Sequence, residues 1–328
     1  MQNTRFASAS RTRVALAWAA SALLVLLLPL VLNSYQQFVV NLAVLYVLVC
    51  LGFNLLLGYL GQLAFANAAF FGVGAYTTGI AMTKMGLPFS VALLLSALVG
   101  ALCGVLVGLP ALRGIRKFYL AIITMAAGEL LRWSYIHADW LTDGSTGLEV
   151  PVAELFGFRF QSEMSKFYLF LAVVVPLVWF TRNVIRSKIG RAIVSIREGE
   201  QAAAGLAIKT SSYFVLTFGL SGLLVGVGGS LFAVSIGRVV PESFNLIQLI
   251  LQFSMVMLGG LGSITGSVIG ALVVVSIPEL TRGIPGSEEL IFSLILMGVI
   301  LFLPRGLVSL GSRFFQTRNG SLYKGDKE

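Results

Sequence analysis

Two charged residues inside an apolar stretch are the first candidates for chemistry in this sequence. Glu129 and Arg132 lie three residues apart, so they would be neighbours on a helix. A charge at the centre of a membrane helix costs about 2.5–3.5 kcal/mol on insertion scales, and it is kept when it pairs or faces a cavity or another helix. The two residues predict either a position along a translocation path or a structural ion pair that anchors the helix.

Three carboxamides that surround a pair of glycines form a second candidate group. Asn54, Gln62 and Asn67 flank Gly58 and Gly61. Amide groups at membrane depth need hydrogen-bond partners, and glycine favours a break in a helix. Non-helical backbone at that depth is tolerated only where protein buries it or where it lines an aqueous cavity. We therefore predict a broken helix that lines part of a translocation path, with simple hydrogen bonding between helices as the alternative.

The segment 182–211 is polar but regularly patterned, which makes it the strongest signal in the chain. The stretch from Ile189 to Ala204 is compatible with a helix apart from two glycines. It is too polar to cross a membrane and too regular for a linker. We predict a short helix, held between two membrane spans, that makes mechanical contact with a partner protein. The alternative is an amphipathic helix that lies on lipid, with Arg191 and Arg197 at the headgroups.

The sequence also argues against several other chemistries. His137 is the one histidine, and Cys50 and Cys103 both fall inside apolar runs, so neither a metal site nor a disulfide is expected. The stretch from Gly259 to Gly262 is rich in glycine, but no P-loop Lys-Ser/Thr follows it, so no nucleotide site is expected. His, Asp and Cys form no group at catalytic spacing. We predict a chain that is not an enzyme and that holds no cofactor of its own.

The composition places these residues in a membrane protein. Of the 328 residues, 57% are hydrophobic and 11% are charged, whereas a soluble domain has about 25% charged residues. A helix crosses the hydrocarbon core with roughly 20 mostly apolar residues. The sequence predicts one all-α domain over 1–328, a polytopic membrane helix bundle with about ten transmembrane helices. The predicted spans are 14–32, 38–57, 62–83, 89–109, 118–136, 166–181, 212–235, 246–258, 263–280 and 290–303.

The distribution of basic residues orients the predicted spans. With the N-terminus in the cytoplasm, most of the 23 Lys and Arg residues fall on the cytoplasmic side, as the positive-inside rule requires. The predicted cytoplasmic parts are the arm 1–13, the segment 182–211 and the tail 304–328, so both termini are cytoplasmic. The acidic loop 137–165 is predicted to be external. Topology and anionic lipid thus explain the net charge of +9, and we expect no nucleic-acid partner.

Small residues recur at every fourth position in three of the predicted spans. The rows are Gly100, Gly104 and Gly108; Gly222, Gly226 and Ser230; and Gly262, Gly266 and Gly270. Such rows let helix backbones approach closely in lipid, so they predict a tightly packed bundle. The stretches 57–61 and 258–262 also echo each other, which hints at an internal duplication of the kind that many transporters have.

Six ordered segments carry a resemblance to a known family. They are residues 58–63 through 68–76; 118–122 with Gly128 and Glu129; 141–142 to 147–148; 190–192 with 196–198; 241–244; and 256–263. Over nearly its whole length the chain resembles the LivM-type permeases of branched-chain amino-acid ABC importers. The default substrates of that family are leucine, isoleucine and valine, and close relatives import small amides and other amino or carboxylic acids.

The resemblance implies a permease subunit in the bacterial inner membrane, surrounded by lipid. The implied partners are a second LivH-type permease, two cytoplasmic ATPase subunits that hold ATP and Mg, and a periplasmic substrate-binding protein. It also implies that part of the segment 182–211 couples the chain to the ATPases. The residues concerned are Gly190, Arg191, Arg197, Glu198, Glu200, Ala202 and Ala203. One departure is that a glycine usual in the family falls on Ala207 here.

An ion-coupled secondary carrier that works alone is the alternative function. Such carriers keep charged residues near the bilayer midplane for the coupling ion. Glu129 and Arg132 are the clear candidates for that role, and with the three carboxamides they complete the residues predicted to line the path. Transport by the purified chain without ATP or partners would distinguish the carrier from the importer subunit.

Overall fold

The computed structural model describes residues 26–114, 117–155 and 157–281, together with 293–294, 297–298, 301 and 306–309. The predicted arm 1–13 lies outside these residues. Most of the first and tenth predicted spans and of the tail 304–328 also lie outside them. The second to ninth predicted spans lie within the described residues.

The second to ninth predicted spans are confirmed as helices. Their bounds are α1 Ser34–Asn54, which continues as a π-helical turn Leu55–Leu60; α2 Asn67–Thr83; α3 Phe89–Gly108; α4 Lys117–His137; α6 Glu163–Arg186; α9 Thr210–Ile236; α10 Leu246–Gly259; and α11 Ile264–Thr281. The shorter α5, Asp139–Thr142, and α7 and α8, Lys188–Glu198 and Glu200–Gly205, connect them.

The chain is a multi-pass membrane protein. Four of the described helices are long and apolar enough to cross a bilayer by themselves: Ser34–Leu60, Phe89–Arg113, Glu163–Arg186 and Thr210–Ile236. In these bounds, a π-helical turn extends α1 and a 3₁₀ turn, Leu109–Arg113, extends α3. The figure of about ten transmembrane helices stays a prediction.

Two predicted bounds need correction. The helix expected over 62–83 begins only at Asn67, because residues 61–66 are not helical. The helix expected over 166–181 runs from Glu163 to Arg186, since the Ser162 hydroxyl accepts a hydrogen bond from the Ser165 N–H and starts it three residues earlier. Such a cap satisfies one of the free N–H groups of a first helical turn.

Helix α9 lies in the centre of the bundle against α1, α2 and α3, and glycines allow the close approach. A methyl group added to Gly100 would collide with the carbonyl oxygen of Gly222, and one added to Gly74 would collide with that of Gly226. In the third row, Gly270 lies against the carbonyl of Met255. The tight packing predicted from the small residues is therefore confirmed.

The two ends of the bundle differ in charge and structure. We call the end that carries α7 and α8 the basic end, and the end that carries residues 137–165 the acidic end. At the acidic end, β1 Leu148–Glu149 pairs antiparallel with β4 Arg238–Val239, and β2 Glu154–Leu155 pairs with β3 Phe158–Arg159. The all-α prediction overlooked these short strands, which give backbone groups of the loop hydrogen-bond partners that no helix supplies.

The acidic-end loop is fixed to the helices beneath it. The Lys84 ammonium lies 2.8 Å from the Asp143 carboxylate and also donates to the Trp140 carbonyl. The Thr83 hydroxyl donates to the Glu149 carbonyl at 2.7 Å. The loop is thus a folded cap over the end of α2 rather than a free connector.

The α3–α9 contact generates a test of the packing. We expect Gly104→Ala to lower the free energy of unfolding by about 1–3 kcal/mol, as overpacking of a filled core does, because the added methyl group would collide with the Phe218 carbonyl oxygen. Thermal unfolding in detergent measures the change. Gly205→Ala is the matched control, since a methyl group there meets nothing within 4 Å; equal melting temperatures for the two variants would contradict the packing.

Candidate functional site

The first helix breaks at the basic end of the bundle, as the two glycines predict. After Asn54 the helix widens into the π-helical turn, which ends at Gly61 with a left-handed φ of 74°. A side chain disfavours that conformation, whereas glycine adopts it without strain. The chain then runs without helical structure until α2 begins at Asn67.

Asn54 joins this broken end to the turn between α10 and α11. Its Nδ2 donates to the Ser263 carbonyl at 3.0 Å and to the Ser267 hydroxyl at 2.8 Å, and its Oδ1 accepts from the Gly262 N–H at 2.9 Å. The side chain is fully buried. One amide group therefore satisfies three polar groups where no water is available.

The two echoing stretches meet at this point. A methyl group on Gly58 would collide with the Gly262 nitrogen. Gly61 and Gly262 both have left-handed backbones, with φ of 74° and 71°. Each stretch closes a helix at the basic end, so the similarity between 57–61 and 258–262 has a structural counterpart.

Helices α7 and α8 lie beside this junction. Ile193 and Ile196 of α7 and Ala203 of α8 are buried against the bundle. The predicted helix over Ile189–Ala204 is divided in two, because Gly199 adopts an extended backbone, and it ends at Gly205. Amphipathic α7 thus turns its apolar side to this protein.

Arg197 connects the short helices to the broken end of α1. Its guanidinium donates to the carbonyl oxygen of Gly58. A Cβ on Gly61 would lie 2.9 Å from the Arg197 Cγ, and one on Gly262 would lie 3.1 Å from its Nη1. The cation therefore lies at the C-terminal ends of α7, of the π-helical turn and of α10. Because each helix C-terminus carries partial negative charge, this position stabilises a cation.

An open cavity of about 690 Å³ adjoins Arg197. Residues from the broken helix and from α7 and α8 form its wall: Leu60, Gly61, Gln62, Ile196, Arg197, Glu198, Gly199, Glu200, Gln201, Ala202 and Phe214. The structure therefore brings Gln62 together with four of the predicted coupling residues. Of the other three, Gly190 packs against the Ile185 backbone, Arg191 bonds the Arg186 carbonyl and Ala203 is buried.

Asn67 lies in a separate, fully buried polar group. Its Nδ2 donates to the Gln252 Oε1 at 2.9 Å, and its Oδ1 accepts from the Ser221 hydroxyl at 3.4 Å. Asn54 and Asn67 thus both form hydrogen bonds to neighbouring helices. Such bonding between helices is the alternative interpretation that the sequence analysis gives for the carboxamides. Sequence reasoning missed Gln252, Ser221, Ser263 and Ser267; single polar residues in apolar helices are the signal that could have found them.

Glu129 and Arg132 form an ion pair on α4. The Arg132 Nε lies 3.1 Å from the Glu129 Oε2. The Arg132 side chain is 34% exposed and the Glu129 side chain is 56% exposed. Glu129 lines a small cleft with Phe65, Ala68, Gly128, Phe244 and Asn245 among others. In the described part of the chain, no group of three His, Cys, Asp or Glu residues could hold a metal ion.

Comparison with known proteins assigns the family. The family model described as "Branched-chain amino acid transport system / permease component" matches residues 36–304. The chain belongs to this family. No solved structure matches the chain. The matched range includes α1 from its third residue and all of α2–α11, together with every residue of the junction at Arg197.

Several curated permeases of this family are similar to the chain. The LivM permease protein of Escherichia coli is 29% identical over 92% of this chain and 76% of its own length. The BraD permease protein of Pseudomonas aeruginosa is 26% identical over 86% of this chain and 97% of its own. The LivH permease protein of Salmonella typhimurium is 24% identical over 82% of this chain and 92% of its own length. All three are named as high-affinity branched-chain amino acid transport system permeases.

The Asn54 junction generates a stability test. We expect Asn54→Leu to lower the free energy of unfolding by about 1–3 kcal/mol, because the Gly262 N–H would be left buried without its acceptor. Thermal unfolding in detergent measures the loss. Gln201→Leu, at an exposed position of α8, is the control and should melt like the parent. A parent-like melting temperature for Asn54→Leu would refute the importance of the junction.

Ala207 provides a second stability test. It occupies the position where, by the resemblance, LivM-type permeases usually have glycine. Its φ is 60°, a left-handed conformation that costs a residue with a side chain about 1–2 kcal/mol. We expect Ala207→Gly to leave the fold unchanged and to raise the free energy of unfolding by up to about 1 kcal/mol, less the added chain entropy of glycine. Chemical denaturation would detect the change; a clear decrease would rule out strain at this position.

Proposed function

We propose that this chain is the membrane-spanning permease subunit of an ATP-driven importer of branched-chain amino acids or related small amino acids, carboxylic acids or amides. ATP and Mg would be held by two separate cytoplasmic ATPase subunits. A periplasmic binding protein would deliver the substrate at the acidic end. A LivH-type permease would be the second membrane subunit. The bacterial inner membrane, with both termini cytoplasmic, follows from this assignment and from the charge distribution.

The contact of Arg197 with the broken end of α1 is the observation that carries the proposal. An importer without its own nucleotide site needs a surface that a motor can move and a connection from that surface to the bundle. The charged outer side of α7, with Arg191, Arg197 and Glu198 exposed, is suited to a soluble partner. Its buried side holds Ile193 and Ile196, so a push on α7 acts directly on the bundle.

The mechanism would be alternating access. Closure of the ATPase dimer would displace α7 and α8, and Arg197 would carry the displacement to Gly58 and Gly262 together. Both positions are helix ends with left-handed glycines close by, where the backbone can change direction at low cost. The ends of α1 and α10 would then move relative to α2 and open or close the path. Such coupling is typically worth about 1–3 kcal/mol between two states.

Replacement of the coupling charges tests the proposal. We expect the double variant Arg197→Gln/Glu200→Gln to reduce substrate-stimulated ATPase of the assembled importer by about fivefold or more, because a coupling free energy of about 1–3 kcal/mol corresponds to 5–150-fold. The bundle should stay folded, with a lower melting temperature because the Gly58 carbonyl loses its bond from Arg197. Lys188→Gln is the control, since Lys188 is an exposed basic residue on the same helix, nine residues before Arg197.

Two results would contradict the proposal, the first its coupling route and the second the importer function. Unchanged coupled transport in the double variant would remove the α7–α8 segment from the coupling route. Transport by the isolated chain in liposomes without ATP would favour the secondary carrier, in which Glu129 and Arg132 would serve the coupling ion. Co-purification of the full chain with ATPase subunits would exclude that carrier.

A further inference from the structure

Within the described part of the chain, helix α6 is covered on one side only. That side packs mainly against α1, and its buried residues include Phe170, Val174 and Thr181. The opposite side carries a second set at helical spacing, and all its members are exposed: Val175, Trp179, Arg182 and Arg186. The membrane therefore meets α6 on this second side.

The exposed residues of α6 follow the order of the layers in one leaflet of a bilayer. Val175 is apolar and 55% exposed, and Trp179 comes one turn later and is 65% exposed. Tryptophan is enriched at the membrane–water interface, where its ring lies at the level of the headgroups. Arg182 and Arg186 follow within seven residues of Trp179, about 10 Å along the helix. Acyl chains, interface and phosphate groups would meet these residues in the same order.

Three guanidinium groups converge where α6 turns into α7. The Arg191 Nη1 donates to the Arg186 carbonyl at 3.2 Å, so a cation of α7 lies at the last residue of α6. The turn is tight, because a methyl group on Gly190 would collide with the Ile185 carbonyl oxygen. We define the α6–α7 corner as the group formed by Trp179, Arg182, Arg186 and Arg191.

The α6–α7 corner carries more positive charge than its surroundings in the chain neutralise. No acidic residue occurs between Glu163 and Glu198. The ion pairs among the described residues include none of the three arginines of the corner. The C-terminus of α6 supplies only about half a negative charge, against three full positive charges. The corner is therefore suited to an anion from outside the chain.

The depth of Arg182 favours a lipid over a soluble partner as the source of that anion. Arg182 lies four residues before the end of the apolar span Glu163–Arg186, about 6 Å along the helix. A long basic side chain so close to the end of a span extends toward the interface, where the phosphate groups of lipids lie. The planar guanidinium also matches phosphate, because it can donate two parallel hydrogen bonds.

We propose that the α6–α7 corner is a binding site for the phosphate headgroup of an anionic phospholipid in the leaflet at the basic end of the bundle. The arginines hold the phosphate, and Trp179 and Val175 lie along the upper part of the acyl chains. The inference goes beyond the importer function and does not depend on it. It also moves the lipid contact that the amphipathic pattern of α7 suggests, since Arg197 bonds the Gly58 carbonyl and the corner meets the headgroups instead.

Native mass spectrometry of the full chain in detergent tests this site by comparing bound phosphatidylglycerol with bound phosphatidylcholine. We expect the parent to retain phosphatidylglycerol preferentially. The double variant Arg182→Gln/Arg186→Gln should lose that preference by about tenfold or more, because two cations next to an anionic headgroup are removed. The matched control is Arg113→Gln/Lys209→Gln, which removes the same charge from exposed positions on other segments of the basic end. It should bind like the parent.

Several outcomes would overturn the lipid site. Equal losses in the two double variants would show a general attraction of charge rather than a site at the corner. Displacement of the lipid by excess inorganic phosphate would assign the corner to a free phosphate. Binding to the chain alone but not to the chain assembled with its partner subunits would place a protein at the corner.

A measurement on the parent chain protects the test against a variant that fails to fold. A ligand that binds the native state raises its melting temperature. We expect added phosphatidylglycerol to raise the melting temperature of the parent in detergent more than phosphatidylcholine does. Equal effects of the two lipids on the parent would refute the site without any substitution.

Discussion

The basic end of this bundle depends on one constraint: backbone groups at helix ends inside a membrane have no water to bind. The π-helical turn and the α10–α11 turn both leave such groups where they meet. The Asn54 side chain takes the Gly262 N–H, and the Arg197 guanidinium takes the Gly58 carbonyl. The glycines are needed because any side chain at Gly58 would occupy the same space. Satisfying these groups brings the ends of the π-helical turn, of α10 and of α7 to a single point.

Much of the bundle was predictable from the sequence, because lipid imposes its requirements on composition residue by residue. Apolar runs predict the described long helices, and Gly58 with Gly61 predicts the break at the end of α1. The partners of Asn54 and Asn67 were not predictable. Ser267 lies 213 residues along the chain from Asn54, and Gln252 lies 185 residues from Asn67. A single sequence holds no information on which distant helices pack together. Strands β1 and β4 were missed for the same reason, since Leu148 pairs with Val239.

Helix α10 links the two candidate regions that sequence reasoning treated separately. It begins at Asn245 beside the Glu129 cleft and ends at Gly259 beside the Arg197 contact. Its 14 residues span about 21 Å. Gln252, between these ends, holds Asn67 at the start of α2. A shift of α10 along its axis would therefore change the cleft, the buried amide pair and the junction at the basic end together.

The pairing of β1 with β4 connects the acidic-end loop mechanically to α10. Arg238 and Val239 are held to the acidic-end loop by the strand pairing, and the Arg238 guanidinium also bonds the Thr146 carbonyl at 2.6 Å. Only the residues from Val240 to Asn245 separate this anchored strand from the first turn of α10, and Pro241 stiffens them because its ring fixes φ. A short, rigid segment thus connects the acidic-end loop to α10. A protein that binds the acidic-end loop would therefore act on the first turn of α10 without any rearrangement of the long helices.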